Sequence, residues 1–129
     1  MIARLRFPVA LMSVSLLGAT ALAEGNAENG ETVFRKCRTC HEIGPNAKNK
    51  VGPHLNGIIG RKAAARDGYA YSPVFKGLGE KGVVWDEATL LKYITKPNDM
   101  APRSKMVFPG LADESERKDL LEYLKKFPE

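Results

Sequence analysis

A small all-α domain of about three main helices, with long loops wrapped around a bound group, is what this sequence predicts. Three observations carry that expectation. Apolar residues recur at helical spacing in three separate stretches. Almost no segment alternates as a strand would. The intervening segments, 44–60 and 61–82, are rich in Gly, Pro and Lys and read as loops. Loops of that length are uncommon in a compact domain unless something organises them, and a large flat cofactor would do so.

The first 23 residues read as a leader and not as part of this fold. Residues 1–6 carry Arg4 and Arg6, residues 7–22 are mostly apolar, and Ala21-Leu22-Ala23 places small residues where a signal peptidase reads. Cleavage after Ala23 is expected. An uncleaved anchor is the alternative, but Pro8, Ser13, Ser15 and Thr20 interrupt the apolar run, which is short for a span of about 20 residues. The expected mature domain, 24–129, has 106 residues with 18 basic against 15 acidic side chains, a formal charge of +3. That mild excess, with no basic and aromatic run, does not suggest nucleic acid. Repeats and low-complexity segments are absent from the sequence.

Within the mature domain the first helix starts near Asn26, a capping residue, and runs through Val33 and Phe34 to deliver the cysteines. A second begins after Asp86 and carries Leu90, Leu91, Tyr93 and Ile94 before Pro97 ends it. The third opens on Asp113 with Glu116 three residues on, as in a capping box. It places Leu120, Leu121, Tyr123 and Leu124 on one stripe and ends in lysines that suit the helix dipole.

The most informative residues are Cys37-Arg38-Thr39-Cys40-His41. Cys-x-x-Cys-His is the peptide to which haem c is covalently attached. Two thiols add across the porphyrin vinyl groups, and the adjacent imidazole lies under the ring, placed to bind iron. Other chemistries use a bare Cys-x-x-Cys. A dithiol redox pair should follow a βαβ strand, whereas Thr32-Val33-Phe34-Arg35-Lys36 reads as helix. A zinc site needs four ligands, for which the chain offers only Cys37, Cys40, His41 and His54, the last between Pro53 and Leu55.

With His41 on one side of the iron, the group on the other side separates a carrier from an enzyme. An open position permits oxygen or peroxide chemistry, and a closed one permits electron transfer alone. The mature chain holds Met100, Met106 and one further histidine, His54. Met106 lies in the loop between the second and third helices, which can bring it across the ring, and is the favoured ligand ahead of Met100. Methionine is more often core filler than ligand, and that reading stays open for both.

Several motifs in order then resemble one family. Cys37 to His41 is followed by Val51-Gly52-Pro53-His54-Leu55-Asn56-Gly57-Ile58-Ile59-Gly60-Arg61, by Tyr69-Ala70-Tyr71-Ser72, by Trp85, and by Ser104-Lys105-Met106-Val107-Phe108. The chain resembles the class I c-type cytochromes of the mitochondrial and bacterial cytochrome c2 group, over nearly the whole mature domain. The resemblance implies that the Pro53 carbonyl accepts a hydrogen bond from His41. It implies that Arg61, Tyr71 and Trp85, with help from Tyr69, hold the haem propionates. Tyr93 and Ser104 would steady the sulfur of Met106, Phe108 and Leu90 would be apolar walls, and Gly30, Phe34, Leu120 and Tyr123 would form the crossing of the first and last helices. Two departures stand out. The interval from Tyr71 to Trp85 is a few residues longer than in mitochondrial members, and Phe75 stands where a polar Asn usually supports a buried water near the Met ligand.

The resemblance also implies a function: a monomeric, non-enzymatic electron carrier in the periplasm, where bacteria attach haem to such chains. Its donor would be a quinol-cytochrome c reductase or a periplasmic dehydrogenase, and its acceptor a terminal oxidase or a photosynthetic reaction centre. No stable membrane insertion is expected after processing. Arg35, Lys36, Arg38, Lys96, Arg103 and Lys105 flank the Cys motif or the Met loop and form the candidate docking cluster, steering acidic partners. Each of them alone reads as a solvated side chain. A haem peroxidase is the rival, but His54 beside Pro53 lies on the His41 side and is poorly placed as a distal acid-base group.

Overall fold

Gly30 decides how the two ends of the domain meet. In the computed structural model, which describes residues 24–129, helix α1 (Ala27–Phe34) crosses α5 (Glu114–Leu124) there. The approach is so close that a Cβ on Gly30 would sit 2.0 Å from the Asp119 carbonyl oxygen and 2.7 Å from Tyr123 Cβ. This crossing is the most extensive helix contact among the described residues. Phe34, 1% exposed, packs on Tyr123 with ring centroids 5.4 Å apart. The expected leader, 1–23, lies outside the described residues.

Each helix end follows from a local signal. Asn26 caps α1 by accepting from Asn29 N at 2.9 Å. Helix α3 (Glu87–Thr95) opens on Asp86, which accepts from Thr89 N at 2.8 Å. Asp113 caps α5 through Ser115 N and Glu116 N at 2.7 and 3.3 Å. Glu116, however, pairs with Lys36 at 2.8 Å and so ties the first turn of α5 to the segment after α1. Lys125, after α5, bridges Glu87 and Glu122 at 2.7 and 2.8 Å and joins α5 to α3.

Two helices were not expected. Helix α2 (Pro73–Glu80) lies inside the segment 61–82 that the sequence presents as loop. Its signal is Pro73 at the first helical position, while Gly77 and Gly79 mask it because glycine lowers helix propensity. Gly79 has a packing reason: a Cβ there would meet the Ala63 carbonyl oxygen at 2.7 Å. Pro97 does stop α3 as expected, and then begins a single turn, α4 (Pro97–Met100).

No strand forms among the described residues; one antiparallel bridge pairs Lys62 with Val84. Around it, Ala63 N donates to Val83 O and Trp85 N to Arg61 O, each at 2.8 Å, closing the base of the loop that carries α2. Leu111 N donates to Ile94 O at 2.8 Å and fastens the loop before α5 onto α3. Among the described residues no helix is long and apolar enough to cross a membrane.

Two expectations follow. Gly30→Ala should destabilise the domain by about 1–3 kcal/mol through overpacking, read as a lower midpoint in urea. Asp113→Ala should lower the melting temperature at neutral pH. The donors from Ser115 and Glu116 hold the Asp113 carboxyl below its ordinary range. Its contribution is therefore present above the unfolded-state value and lost as pH falls through the folded one, so the two proteins should converge in acid.

Candidate functional site

Beyond α1 the backbone continues in helical turns. Cys37 N donates to Phe34 O at 2.8 Å, Cys40 N to Cys37 O at 3.1 Å, and His41 N to Cys37 O at 2.9 Å. These turns place both thiols and the imidazole on the wall of one cavity of about 370 Å³. The thiols form no disulfide. Burial pushes the Cys37 thiol up to about 11, the reverse of the lowered value that activates a redox dithiol. A zinc site fares no better, since among the described residues no three His, Cys, Asp or Glu side chains gather as metal ligands.

His41 is held in one tautomer. Its Nδ1 lies 2.7 Å from Pro53 O, and a carbonyl only accepts, so Nδ1 carries the proton and Nε2 keeps its lone pair. Burial lowers the pKa of the ring, partly offset by that hydrogen bond, and keeps it neutral. Gly52 sits flat against it: a Cβ there would fall 2.4 Å from His41 Cε1. Gly52 N donates to Cys40 O at 2.8 Å, stitching the two segments together.

Met106 also lines the cavity, whereas Met100 lines a separate surface depression with Lys92, Thr95, Lys96 and Asp99. The Tyr93 hydroxyl donates to Met106 Sδ at 3.1 Å. Met106 N donates to Ser104 Oγ at 3.2 Å, so Ser104 holds the backbone of the loop next to the sulfur. Tyr93 is 4% exposed and its hydroxyl pKa is raised by burial, which keeps it a proton donor. Gly110 lets the loop pass over α3, with φ +104 and room for no Cβ against the Thr95 carbonyl, 2.2 Å away.

An aromatic wall completes the enclosure. Phe75, delivered by α2, stacks on Tyr71 at 6.1 Å and meets Tyr93 edge-on at 5.8 Å, while Trp85 packs on Tyr93 at 5.0 Å. Leu90, Leu120, Leu124, Phe34 and Phe108 add apolar surface. Tyr69 donates to Val51 O at 2.6 Å and so spans the rim.

Arg61 is brought to this wall from behind. It reaches Asn56 O and Glu129 Oε1, beside the cavity-lining Tyr71, whose hydroxyl accepts from Arg66 N at 3.0 Å. Sequence reasoning missed Arg66, Ser72 and Glu129. Ser72 precedes the Pro73 that starts α2, a signal legible in hindsight. The pairing of Arg66 with Glu129 is 63 residues apart in sequence and carried no local mark. His54 stands outside the cavity lining, with its Nδ1 buried and without a hydrogen-bond partner.

Of the six basic residues expected to dock partners, Lys36 and Lys105 line the cavity. Lys36 is paired with Glu116, Arg38 lies 3.7 Å from Glu31, and Lys96 lies 3.4 Å from Asp99 on the separate depression. Arg35 and Arg103 are exposed.

The cavity fits the covalent haem that the motif predicts. Two free thiols one turn apart, a neutral imidazole with an available lone pair, a thioether and an apolar lining are the donors and surroundings such a group needs. The Ser72 hydroxyl, buried on the cavity wall with no protein partner, is a polar atom available to its carboxylates.

Comparison with known proteins agrees. A family model described as Cytochrome c matches residues 27–128. The chain is 48% identical over 103 residues to cytochrome c2 of Rhodoblastus acidophilus, covering 80% of this chain and 94% of that protein. It is 43% identical over 118 residues to cytochrome c-554 of Methylosinus trichosporium, covering 92% and 87%. Among solved structures, cytochrome c2 from Rhodospirillum centenum superposes with a TM-score of 0.76 at 39% identity, covering 81% of this chain and all of that one. Gly52→Ala should displace the His41 ring and cost about 1–3 kcal/mol in stability, checked by denaturant unfolding of the haem-loaded protein.

Proposed function

This chain belongs to the cytochrome c family, and on that premise we propose that it is a soluble periplasmic one-electron carrier whose iron is bound by His41 and Met106. The family's cofactor is covalent haem c, and Cys37 and Cys40 are the pair that matches its attachment motif. When bound, that group supplies a ferric/ferrous couple. The observation that carries the proposal is the presence in one cavity of two prepared donors: His41, aligned by Pro53 O at 2.7 Å, and Met106, aligned by Tyr93 at 3.1 Å.

The residues then set the redox preference. The hydrogen bond that His41 Nδ1 donates to Pro53 O makes His41 a firm donor to iron in a fixed orientation. Met106 offers a soft thioether, which favours ferrous iron, and the Tyr93 hydroxyl draws density from the sulfur in the same direction. Phe75, Trp85 and Leu90 exclude water, and an apolar surrounding disfavours the added positive charge of the ferric state. The thioether, its hydrogen bond from Tyr93 and the apolar surroundings all raise the reduction potential. Ser104 keeps the Met106 backbone in register, while Arg61, Tyr71 and Trp85 serve the carboxylates of the group. No step requires a catalytic acid or base, so the chain needs no enzymatic role.

The leader of residues 1–23 would export the chain. As a monomer it would accept electrons from a quinol-cytochrome c reductase or a periplasmic dehydrogenase and pass them to a terminal oxidase or a photosynthetic reaction centre. Lys36 and Lys105 on the cavity lining, with Arg35, Arg38, Lys96 and Arg103 nearby in sequence to the motif or the Met loop, would favour acidic partner surfaces.

The test is spectroscopic. The haem-loaded protein should be low-spin with a weak near-infrared sulfur-to-iron band, lost in Met106→Ala and kept in Met100→Ala. Retention of the band in Met106→Ala would sink the ligand assignment, and a high-spin wild type would sink the carrier.

A further inference from the structure

Two arginines share one carboxylate behind the cavity wall. Arg61 Nη2 and Arg66 Nη2 both bind Glu129 Oε1, Arg66 at 2.7 Å, and both also donate to Asn56 O, Arg66 at 2.5 Å. The guanidinium-bearing side chains are 11% and 12% exposed and that of Glu129 is 62% exposed, so the carboxylate closes the pair from the solvent side. One negative charge against two leaves a surplus positive charge in a poorly solvated place. Like charges so close repel strongly where water is scarce, and the surplus calls for a second anion.

The protein side of the cluster points to where that anion belongs. Arg66 N donates to the hydroxyl of Tyr71, which lines the cavity. The next residue, Ser72, presents to the same cavity a buried hydroxyl with no protein partner, and Arg66 Nε is likewise buried and unpartnered. The position of Glu129 does not depend on the arginines alone. Gly57 N donates to Phe127 O at 2.7 Å, Phe127 packs edge-on against Tyr123 at 5.1 Å, and Glu129 Cγ lies so close to Gly57 that a Cβ there would be 2.4 Å from it. The segment after α5 is therefore tied down beside the arginine pair by its own packing.

From this geometry we infer that Arg66 is a second cation for the carboxylates of the bound haem, and that Glu129 is its counter-charge, so that the two tune the reduction potential in opposite directions. The inference rests on the haem-carrier reading above. A positive charge near the iron disfavours the ferric state and raises the potential. A negative charge does the opposite. Arg61 alone would already meet the expectation from sequence; Arg66 adds the surplus, and Glu129 attenuates it. Because Glu129 is the exposed member, the attenuation can be removed without opening the core.

The experiment is a charge cycle on the full haem-loaded chain: wild type, Arg66→Gln, Glu129→Gln and the double variant, each titrated spectroelectrochemically. At one fixed applied potential, Arg66→Gln should lower the ferrous-to-ferric ratio and Glu129→Gln should raise it. Each change should be on the order of threefold, or about 28 mV at 59 mV per tenfold for one electron. The double variant should return toward wild type. Shifts of the same sign, or none in either single variant, overturn the inference. Should Arg66→Gln fail to fold, the exposed Glu129→Gln still decides: a rise supports the inference, and no change or a fall overturns it. These signs are read whichever side chain binds the iron opposite His41, so failure here and failure of the Met106 assignment are seen separately.

Discussion

Everything in this molecule hangs on the contact at Gly30. With no Cβ in the way, α1 lies directly on the backbone of α5 at Asp119, and the rings of Phe34 and Tyr123 close over the crossing. That places the end of α1, and therefore the turns bearing Cys37, Cys40 and His41, at a set distance from Leu120 and Leu124, which form part of the same cavity. Lys36 and Glu116 reinforce the arrangement at the surface, though a pair this exposed contributes little by itself. The binding wall is thus an outgrowth of a helix crossing.

The rest of the enclosure is built from loops, and loops must satisfy their backbone groups without a ladder or a helix. Here they do so against one another. Gly44 and Asn56 exchange two hydrogen bonds, at 2.7 and 2.9 Å. Leu55 N reaches Glu42 O at 2.9 Å, and Gly57 N reaches Phe127 O. Each such bond contributes about 1 kcal/mol net, so rigidity comes from their number and from the group the loops surround. The same logic explains why α2 is short. It is a local device that swings Phe75 onto Tyr71 and Tyr93, and its Gly79 permits close packing on Ala63.

Electrostatics divides the site into a neutral interior and a charged periphery. Burial keeps the Cys37 thiol, the His41 imidazole and the Tyr93 hydroxyl in their uncharged forms, which is the condition for donor atoms in an apolar cavity to carry lone pairs and protons where binding needs them. The arginines stay outside that lining, backed by Glu129. Surface cations near the Cys motif are partly compensated by their own carboxylates, so the field a partner meets is weaker than a count of lysines and arginines suggests.

The sequence by itself determined the attachment motif, the helical class, the three capped helices and the two candidate ligands, because each rests on short-range chemistry: a five-residue spacing, an Asx cap, a periodic apolar stripe. Pro53 and Tyr93 were legible through resemblance, as partners that their neighbours His41 and Met106 require. Only the tertiary structure decided that Met106 and not Met100 lines the cavity, that α2 exists despite Gly77 and Gly79, and that Glu116 turns to Lys36 in place of its own helix terminus. It also brought Arg66 and Glu129 together behind the wall that Ser72 lines. Those outcomes depend on where separate segments meet, and contacts spanning 60 or more residues, such as Glu129 with Arg61 and Arg66, leave no periodicity for a local reading to find.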